Sequence, residues 1–542
     1  MDRLKSIFKK KEEPKPPSAE VKEKPPVTEE KKPKEVTFAP KTGTVWTEEK
    51  PKAAPAGAKK EIVINPITRL EGHGKISIFL NDEGNVRDAY FQVPELRGFE
   101  RFCIGRPVEE VPRIVPRICG VCPWPHHLAS TKAVDGVFKA EPTETAKKLR
   151  EMLFMAHYMH SHQLHFYALA APDFVPGPTA PAAERNVVGL IGKVGLEIGL
   201  QVIKHRGYAQ KIQEMLGGRA THPVGGLPGG WSKALSAEDR DKMEEMAKKL
   251  VDFSKTSLTI FEDAVLKNKD YVDLIAGDTY YHETYYMGTL DKNNKVNFYE
   301  GTIKVIDPKG DVYATFQGKD YLKYIAEHVE PWSYLKFPYL KGVGWKGLVD
   351  GKDSGIYRVN TLARLNVADG MATPLAQEAY EKMYGFFGKK PLHNTLAYHW
   401  ARLVENLYAA ERCLELLQDP EITSKDIRAD VGEPGEGVGH VEAPRGILFH
   451  HYWADENGMT KKLNILVATG HNNGAICMSV KKAAQSLIHN WKVDPGILNM
   501  VEMAFRAYDP CFACATHTLP GTMPLEITIC DSKGKIYKRL GR

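Results

Sequence analysis

Apolar and polar positions alternate over residues 74–80 and 86–93, with Asn81–Asn85 between them, the pattern of two half-buried strands joined by a tight turn. A helical period takes over near His126 and again over 143–170, where apolar residues recur three and four apart. Thr143 or Thr145 can cap that second helix, and Ala171-Pro172 follow it. The same period predicts helices over 236–265, 364–384, 391–417 and 473–490. Residues 270–325 are richer in Tyr, Val, Thr and glycine-bearing turns and predict a small β excursion. Asn457-Gly458 predicts a hairpin over 446–468. The chain carries no internal repeat. The expected fold is mixed α/β and predominantly helical, with small peripheral β-sheets, built as one large unit from residue 61 onward.

Residues 11–60 break with this pattern. They hold nine prolines among Lys, Glu and Ala, and too few large apolar residues to offset the entropy of ordering. A disordered Pro/Lys/Glu-rich extension over 1–60 is expected, with a short amphipathic helix through Leu4, Ile7 and Phe8 as the alternative for its start. The extension also carries the chain's charge. Residues 1–60 hold 16 Lys/Arg against 10 Asp/Glu, which accounts for the whole formal net charge of +6. The formally neutral remainder argues against a nucleic-acid partner, since phosphate binding needs a basic field on the folded domain. No run of about 18 apolar residues is present, so no membrane span is expected. The N-terminus has neither the apolar core of a signal peptide nor a twin-arginine pair. A cytoplasmic location is expected, a partner's export signal aside.

The eight cysteines are too sparse for a disulfide scaffold. Four of them form two C-x-x-C pairs near opposite ends of the folded region. The first is Arg117-Ile118-Cys119-Gly120-Val121-Cys122, with His126 four residues on. The second is Asp509-Pro510-Cys511-Phe512-Ala513-Cys514, with His517 three residues on. This spacing lets two thiolates converge on one metal or on adjacent metals. Four thiolates imply a soft-metal centre, and spacing alone leaves open a four-cysteine zinc site, an iron–sulfur cluster and a redox dithiol.

With their surroundings, the pairs carry a resemblance. R-x-C-G-x-C-x-x-x-H followed far downstream by D-P-C-x-x-C-x-x-H resembles the large (catalytic) subunit of nickel–iron hydrogenases. Arg69-Leu70-Glu71-Gly72-His73, Arg97-Gly98-Phe99-Glu100, His165-Phe166-Tyr167 with Asp173-Phe174, and Ala443-Pro444-Arg445-Gly446 match further segments in order. The resemblance therefore runs from about 61 to 542. Details around Cys122-Pro123, His126-His127-Leu128 and Cys514-Ala515-Thr516-His517 are similar to the cytoplasmic branch. That branch passes electrons to NAD(P), coenzyme F420 or a heterodisulfide reductase through additional subunits.

The resemblance implies reversible heterolytic cleavage or formation of H2 at a nickel–iron centre. Cys119 and Cys511 are then terminal nickel ligands, and Cys122 and Cys514 bridge Ni to an Fe that carries one CO and two CN. Glu71 is implied as the first proton relay, exchanging a proton with the thiolate of Cys511. Arg445 is implied to donate to the cyanides from its rigid fork, and Thr469 to face them with its hydroxyl. Val467-Ala468-Thr469 departs from the family pattern at Ala468, where many members carry proline. Glu100, His517 and a backbone carbonyl near Ile465 match the ligands of a buried Mg or similar divalent ion. His126 is expected to hydrogen bond behind the first pair. His160, His162 and His165 do not share one helix face and are expected to be packed rather than ligating. Many relatives have Asp between the paired histidines where this chain has Ser161.

Residues 518–542 resemble an extension that is cut off after the matching histidine once nickel is in place. A body over 61–517, a maturation protease and cleavage after His517 are implied. A permanent hairpin is the alternative, since LEITI and IYKRL flank a Ser-Lys-Gly turn. The cysteines outside the two pairs are too scattered to hold a cluster. The resemblance accordingly implies an iron–sulfur small subunit, with further electron-transfer subunits binding flavin or an acceptor. No G-x-G-x-x-G fingerprint places a dinucleotide on this chain. The rivals are a regulatory hydrogen sensor with the same centre and a non-catalytic hydrogenase-like structural subunit. The second normally lacks the four cysteines.

Overall fold

A computed structural model describes residues 59–93 and 95–516, together with the backbone of two strands within 526–541. The expected N-terminal hairpin forms, with Lys75–Leu80 antiparallel to Val86–Gln92, and Lys60–Ile64 adds a third strand on the other side of Lys75–Leu80. Ile76, Ile78, Ala89 and Phe91 are fully buried, so the alternation has one face to bury and fixes the register.

The helix after the first cysteine pair runs Pro123–Val137, starting three residues before the expected point because Pro123 sits in its first turn. It packs on the strand Glu436–Ala443. Contact is close enough that a Cβ on Gly437 would lie 2.1 Å from the Ala133 carbonyl. The next helix, Glu144–Leu164, is capped by Thr143, whose hydroxyl accepts from the Ala146 N–H. Its periodic pattern continues to 170, but the chain widens into a π-helical turn over His165–Ala170 before Ala171–Phe174. Ala237–Phe261 is capped by Ser236. Tyr398–Gln418 packs against both long helices. Every residue from Tyr398 to Glu411 is buried, Arg402 and Glu405 included.

Two expectations need correction. The helix predicted over 364–384 is two helices, Thr361–Val367 and Pro374–Phe387. Gly370 at φ +147° turns the chain between them, and Pro374 restricts the residue before it. The helix predicted from 391 starts at Tyr398, after a single 3-10 turn over Thr395–Ala397. The helices Val187–Val194, Leu196–Gly217 and Pro495–Arg506 were not anticipated. Gly189, Gly192, Gly195 and Gly199 punctuate the first two and mask their period.

The excursion over 270–325 supplies Tyr285–Leu290, Thr302–Ile306 and Val312–Phe316 as antiparallel neighbours, with Tyr357–Arg358 parallel to the first. The predicted hairpin forms from Gly446–Ala454 and Thr460–Leu466, and Glu436–Ala443 joins it as a third strand. Met287, Val305 and Tyr357 of one sheet share a core with Ile447, Phe449 and Leu466 of the other. Fully burying each such side chain is worth about 1.5–3 kcal/mol. This core backs the Ala443-Pro444-Arg445-Gly446 turn.

At the C-terminus, Glu526–Cys530 pairs antiparallel with Ile536–Gly541, as the hairpin pattern of LEITI and IYKRL indicates. His517 and the remainder of 517–525 lie outside the described residues. So does the N-terminal extension, up to residue 58. No helix among the described residues is long and apolar enough to cross a membrane.

Candidate metal centre

The first cysteine loop is shaped locally. Pro116 lies in a 3-10 turn, Val115–Ile118, after which Cys119 is extended. The Cys119 sulfur accepts the N–H groups of Val121 at 3.2 Å and Cys122 at 3.0 Å. Cys122 stands at the N-terminus of the Pro123–Val137 helix, and its hydrogen bond with Cys119 raises its thiol pKa.

The second loop is held from outside. Asp509 turns the chain at φ +53°, a conformation Asp tolerates better than most residues. Cys511 then lies alongside Glu71 as a short parallel bridge, with the Phe512 N–H donating to the Glu71 carbonyl at 3.0 Å. The glycine of the R-L-E-G-H segment is required here. Gly72 sits at φ +88°, and a Cβ on it would lie 2.7 Å from the Ala513 nitrogen.

Together the loops bring four buried sulfurs into one cluster. Cys119 and Cys511 are 3.1 Å apart, Cys122 and Cys514 3.3 Å, Cys122 and Cys511 3.7 Å, and Cys511 and Cys514 2.8 Å. All four ligand atoms lie within 4.8 Å of one another. Four thiols this close cannot all ionise unaided. Burial resists the charge on Cys119, but hydrogen bonding within the cysteine cluster overcomes it and lowers its pKa well below the usual thiol range. Burial and that neighbouring charge push Cys511 and Cys514 well above it. Cys119, Cys122, Cys511 and Cys514 could all be thiolates only with a bound cation to offset their charge.

Glu71 touches this cluster directly. The Cys511 thiol donates to Glu71 Oε2 at 2.9 Å, and the Ala513 N–H donates to the same oxygen at 3.2 Å. Burial, and then the Cys119 charge, raise the Glu71 carboxyl above its usual range. On the other side lies buried Arg445. Its Nε donates to the Asp509 carbonyl at 2.8 Å, Nη1 to the Ser161 hydroxyl at 3.1 Å, and Nη2 pairs with the Asp509 carboxylate at 2.9 Å. Burial opposes its charge, but Asp509 and the cysteine sulfurs more than offset that and raise its pKa. The Thr469 hydroxyl accepts the Cys511 N–H at 3.0 Å. A small pocket opens beside Cys122, Cys511 and Cys514, and Arg445, Thr469 and Ala468 contribute to its wall.

The donor set fits a soft-metal centre. Arg445 and Thr469, on the pocket wall beside the sulfurs, add polar groups that a purely structural four-cysteine site does not need. Glu100 lies apart from the thiols, against Ile465, whose N–H donates to Glu100 Oε1 at 2.8 Å. Burial pushes its carboxyl up to about 7. His126 reaches across to the second pair rather than the first, its Nε2 lying 3.4 Å from the Cys514 sulfur. Its Nδ1 meets His450 at 3.2 Å. His160, His162 and His165 turn to separate partners, Arg206, Glu405 and the Arg506 carbonyl. Asp509, Ser161 and His450 belong to the site but were given no role from sequence. Asp509 flanks the second cysteine pair, which is the one signal that marks it.

The family model for nickel-dependent hydrogenases matches residues 97–189 and 316–517, and a HoxL-like model matches 61–96. The chain belongs to the nickel-dependent hydrogenase family. The matched segments contain both cysteine loops, Glu71, Arg445 and Thr469. The chain is 54% identical over 483 residues to an iron-sulfur subunit of the F420-non-reducing hydrogenase of Archaeoglobus profundus, covering 89% of this chain and 99% of that one. It is 37% identical over 500 residues to the beta subunit of the NAD-reducing hydrogenase HoxS of Cupriavidus necator, covering 89% of this chain and 100% of that one. An NAD+-reducing [NiFe]-hydrogenase crystallised in the H2-reduced state superposes with a TM-score of 0.80 at 35% identity, covering 85% of this chain and 100% of that one. The chain is thus a nickel–iron-type hydrogenase large subunit, an oxidoreductase that oxidises or produces H2.

Proposed function

We propose that the four thiolates hold a nickel–iron centre, with Cys119 and Cys511 terminal on nickel and Cys122 and Cys514 bridging to an iron that carries one CO and two CN. The observation that carries this reading is the four-sulfur cluster beside a cavity walled by Arg445 and Thr469. When bound, the centre supplies soft Lewis-acidic, redox-active metals at which the H–H bond is polarised and split heterolytically. The chain's own residues do the rest. The Cys511 sulfur holds the departing proton, and Glu71 Oε2, 2.9 Å away, accepts it and passes it outward. Arg445, oriented by Asp509, presents its remaining N–H groups to the cavity. Thr469 keeps the Cys511 backbone in place. The apolar walls from Val467, Leu448 and Pro125 exclude bulk water.

Glu100, the backbone carbonyl of Ile465 and His517 are assigned to a Mg or similar divalent ion that would tie the C-terminal segment to the body. Cleavage after His517 by a maturation protease removes 518–542. Electrons leave through iron–sulfur clusters of a small subunit, since the described cysteines outside the two pairs, Cys103, Cys413 and Cys477, are each buried and unpaired with another cysteine. Further subunits carry flavin or an acceptor, and the assembly works in the cytoplasm.

Infrared spectroscopy of the purified complex tests the centre. One CO and two cyanide stretching bands are expected. Their absence from a preparation containing stoichiometric Ni and Fe would overturn the assignment, and zinc alone would reduce the cluster to a structural site.

A further inference from the structure

We propose that Arg97 is a positioning residue for the centre: it staples the two cysteine loops together, so that the four thiols stand at metal-binding separation before metal enters. One guanidinium nitrogen, Nη2, donates to two carbonyls, those of Ile118 and Ala513. These are the residues immediately before Cys119 and Cys514. The Arg97 backbone N–H takes a third carbonyl, that of Thr516, at 2.7 Å. Its guanidinium lies over the Phe99 ring at 5.5 Å, which limits its freedom to leave.

The physical need is plain. The loops lie at opposite ends of the folded chain, and their sulfurs repel once more than one of them ionises. Hydrogen bonds from a cation are stronger than neutral ones, and here each ends one residue from a ligand. Arg97 also holds the Thr516 carbonyl, so closure of the second loop and placement of Thr516 are coupled. The inference rests on the four cysteines being metal ligands, as proposed above, but its test needs no metal.

The test uses the full chain in its complex, purified from nickel-depleted cells, and follows alkylation of each cysteine by mass spectrometry. In Arg97→Met, alkylation of Cys119, Cys122, Cys511 and Cys514 is expected to speed up about tenfold or more. Cys413 and Cys477, fully buried elsewhere, keep their protection. Arg97→Lys, which retains a cationic donor, restores part of the difference. Equal rates in parent and Arg97→Met overturn the proposal. So does labelling of Cys413 and Cys477 in step with the four, which would make Arg97 a general stabiliser of the fold. A parent complex that never binds Ni and Fe would instead defeat the functional reading and leave the alkylation result to stand alone.

Discussion

The two cysteine loops supply equal numbers of ligands but are built in opposite ways. The first is shaped mainly by its own chain: its amides point at the Cys119 sulfur and the helix it opens begins at the next residue, with Arg97 and His222 holding the Ile118 and Pro116 carbonyls from outside. The second borrows its shape. Glu71 borders it as a strand, Thr469 takes the Cys511 amide, Arg445 grips Asp509 by backbone and side chain, and Gly72 leaves room for Ala513. One loop is set mainly by local geometry. The other takes its shape from distant segments.

This contrast can be broken or sharpened by substitution. The largest effect is expected at a ligand of the borrowed loop. Cys511→Ser replaces a soft thiolate by a hard hydroxyl and should lower H2 oxidation by about 10³-fold or more, with nickel lost on elemental analysis. Glu71→Gln keeps the shape of the side chain and its bond from Ala513 but cannot take a proton. It should cut the rate by about 10²-fold or more while Ni and Fe contents stay at parent levels. Metal loss in that variant would reassign Glu71 from proton carrier to scaffold.

The supports come next. Gly72→Ala should destabilise the assembled protein by about 2 kcal/mol or more, read as a lowered melting temperature, because φ is positive and the new methyl meets Ala513. Arg445→Lys keeps the charge but not the fork on Asp509, and a loss of about tenfold in rate is expected, with shifted cyanide bands. The smallest effect belongs to the self-built loop. A Cβ on Gly120 meets nothing within 4 Å in this chain. Gly120→Ala should therefore change the stability of the isolated large subunit by no more than about 0.5 kcal/mol. A drop as large as that of Gly72→Ala would erase the distinction between the loops.

The same contrast explains what was legible in the sequence. The first loop, the capped helix after Thr143 and the hairpin around Asn457-Gly458 are local, and their signals sit in a few adjacent residues. The break at Gly370 was marked locally, by Gly370 and Pro374, but the apolar period runs across it, and the π-helical turn at His165 leaves the period intact, so the periodicity overran both. At the site, the cysteines and Glu71 were marked by motifs. The Asp509–Arg445 pairing joins residues far apart in sequence, and nothing in either neighbourhood announces the partner. His126 shows the limit most clearly, because the motif places it beside the first pair whereas the fold aims it at Cys514.

Isotope exchange between H2 and D2O by the purified, metal-loaded complex, followed by mass spectrometry with no electron acceptor added, bears most directly on heterolytic cleavage at the thiolate cluster. HD should form in the parent and fall by about 10²-fold or more in Glu71→Gln, because on the proposed route the exchanging proton passes from the Cys511 sulfur to that carboxylate. A complex containing Ni and Fe that forms no HD, or one in which Glu71→Gln exchanges at the parent rate, would contradict it.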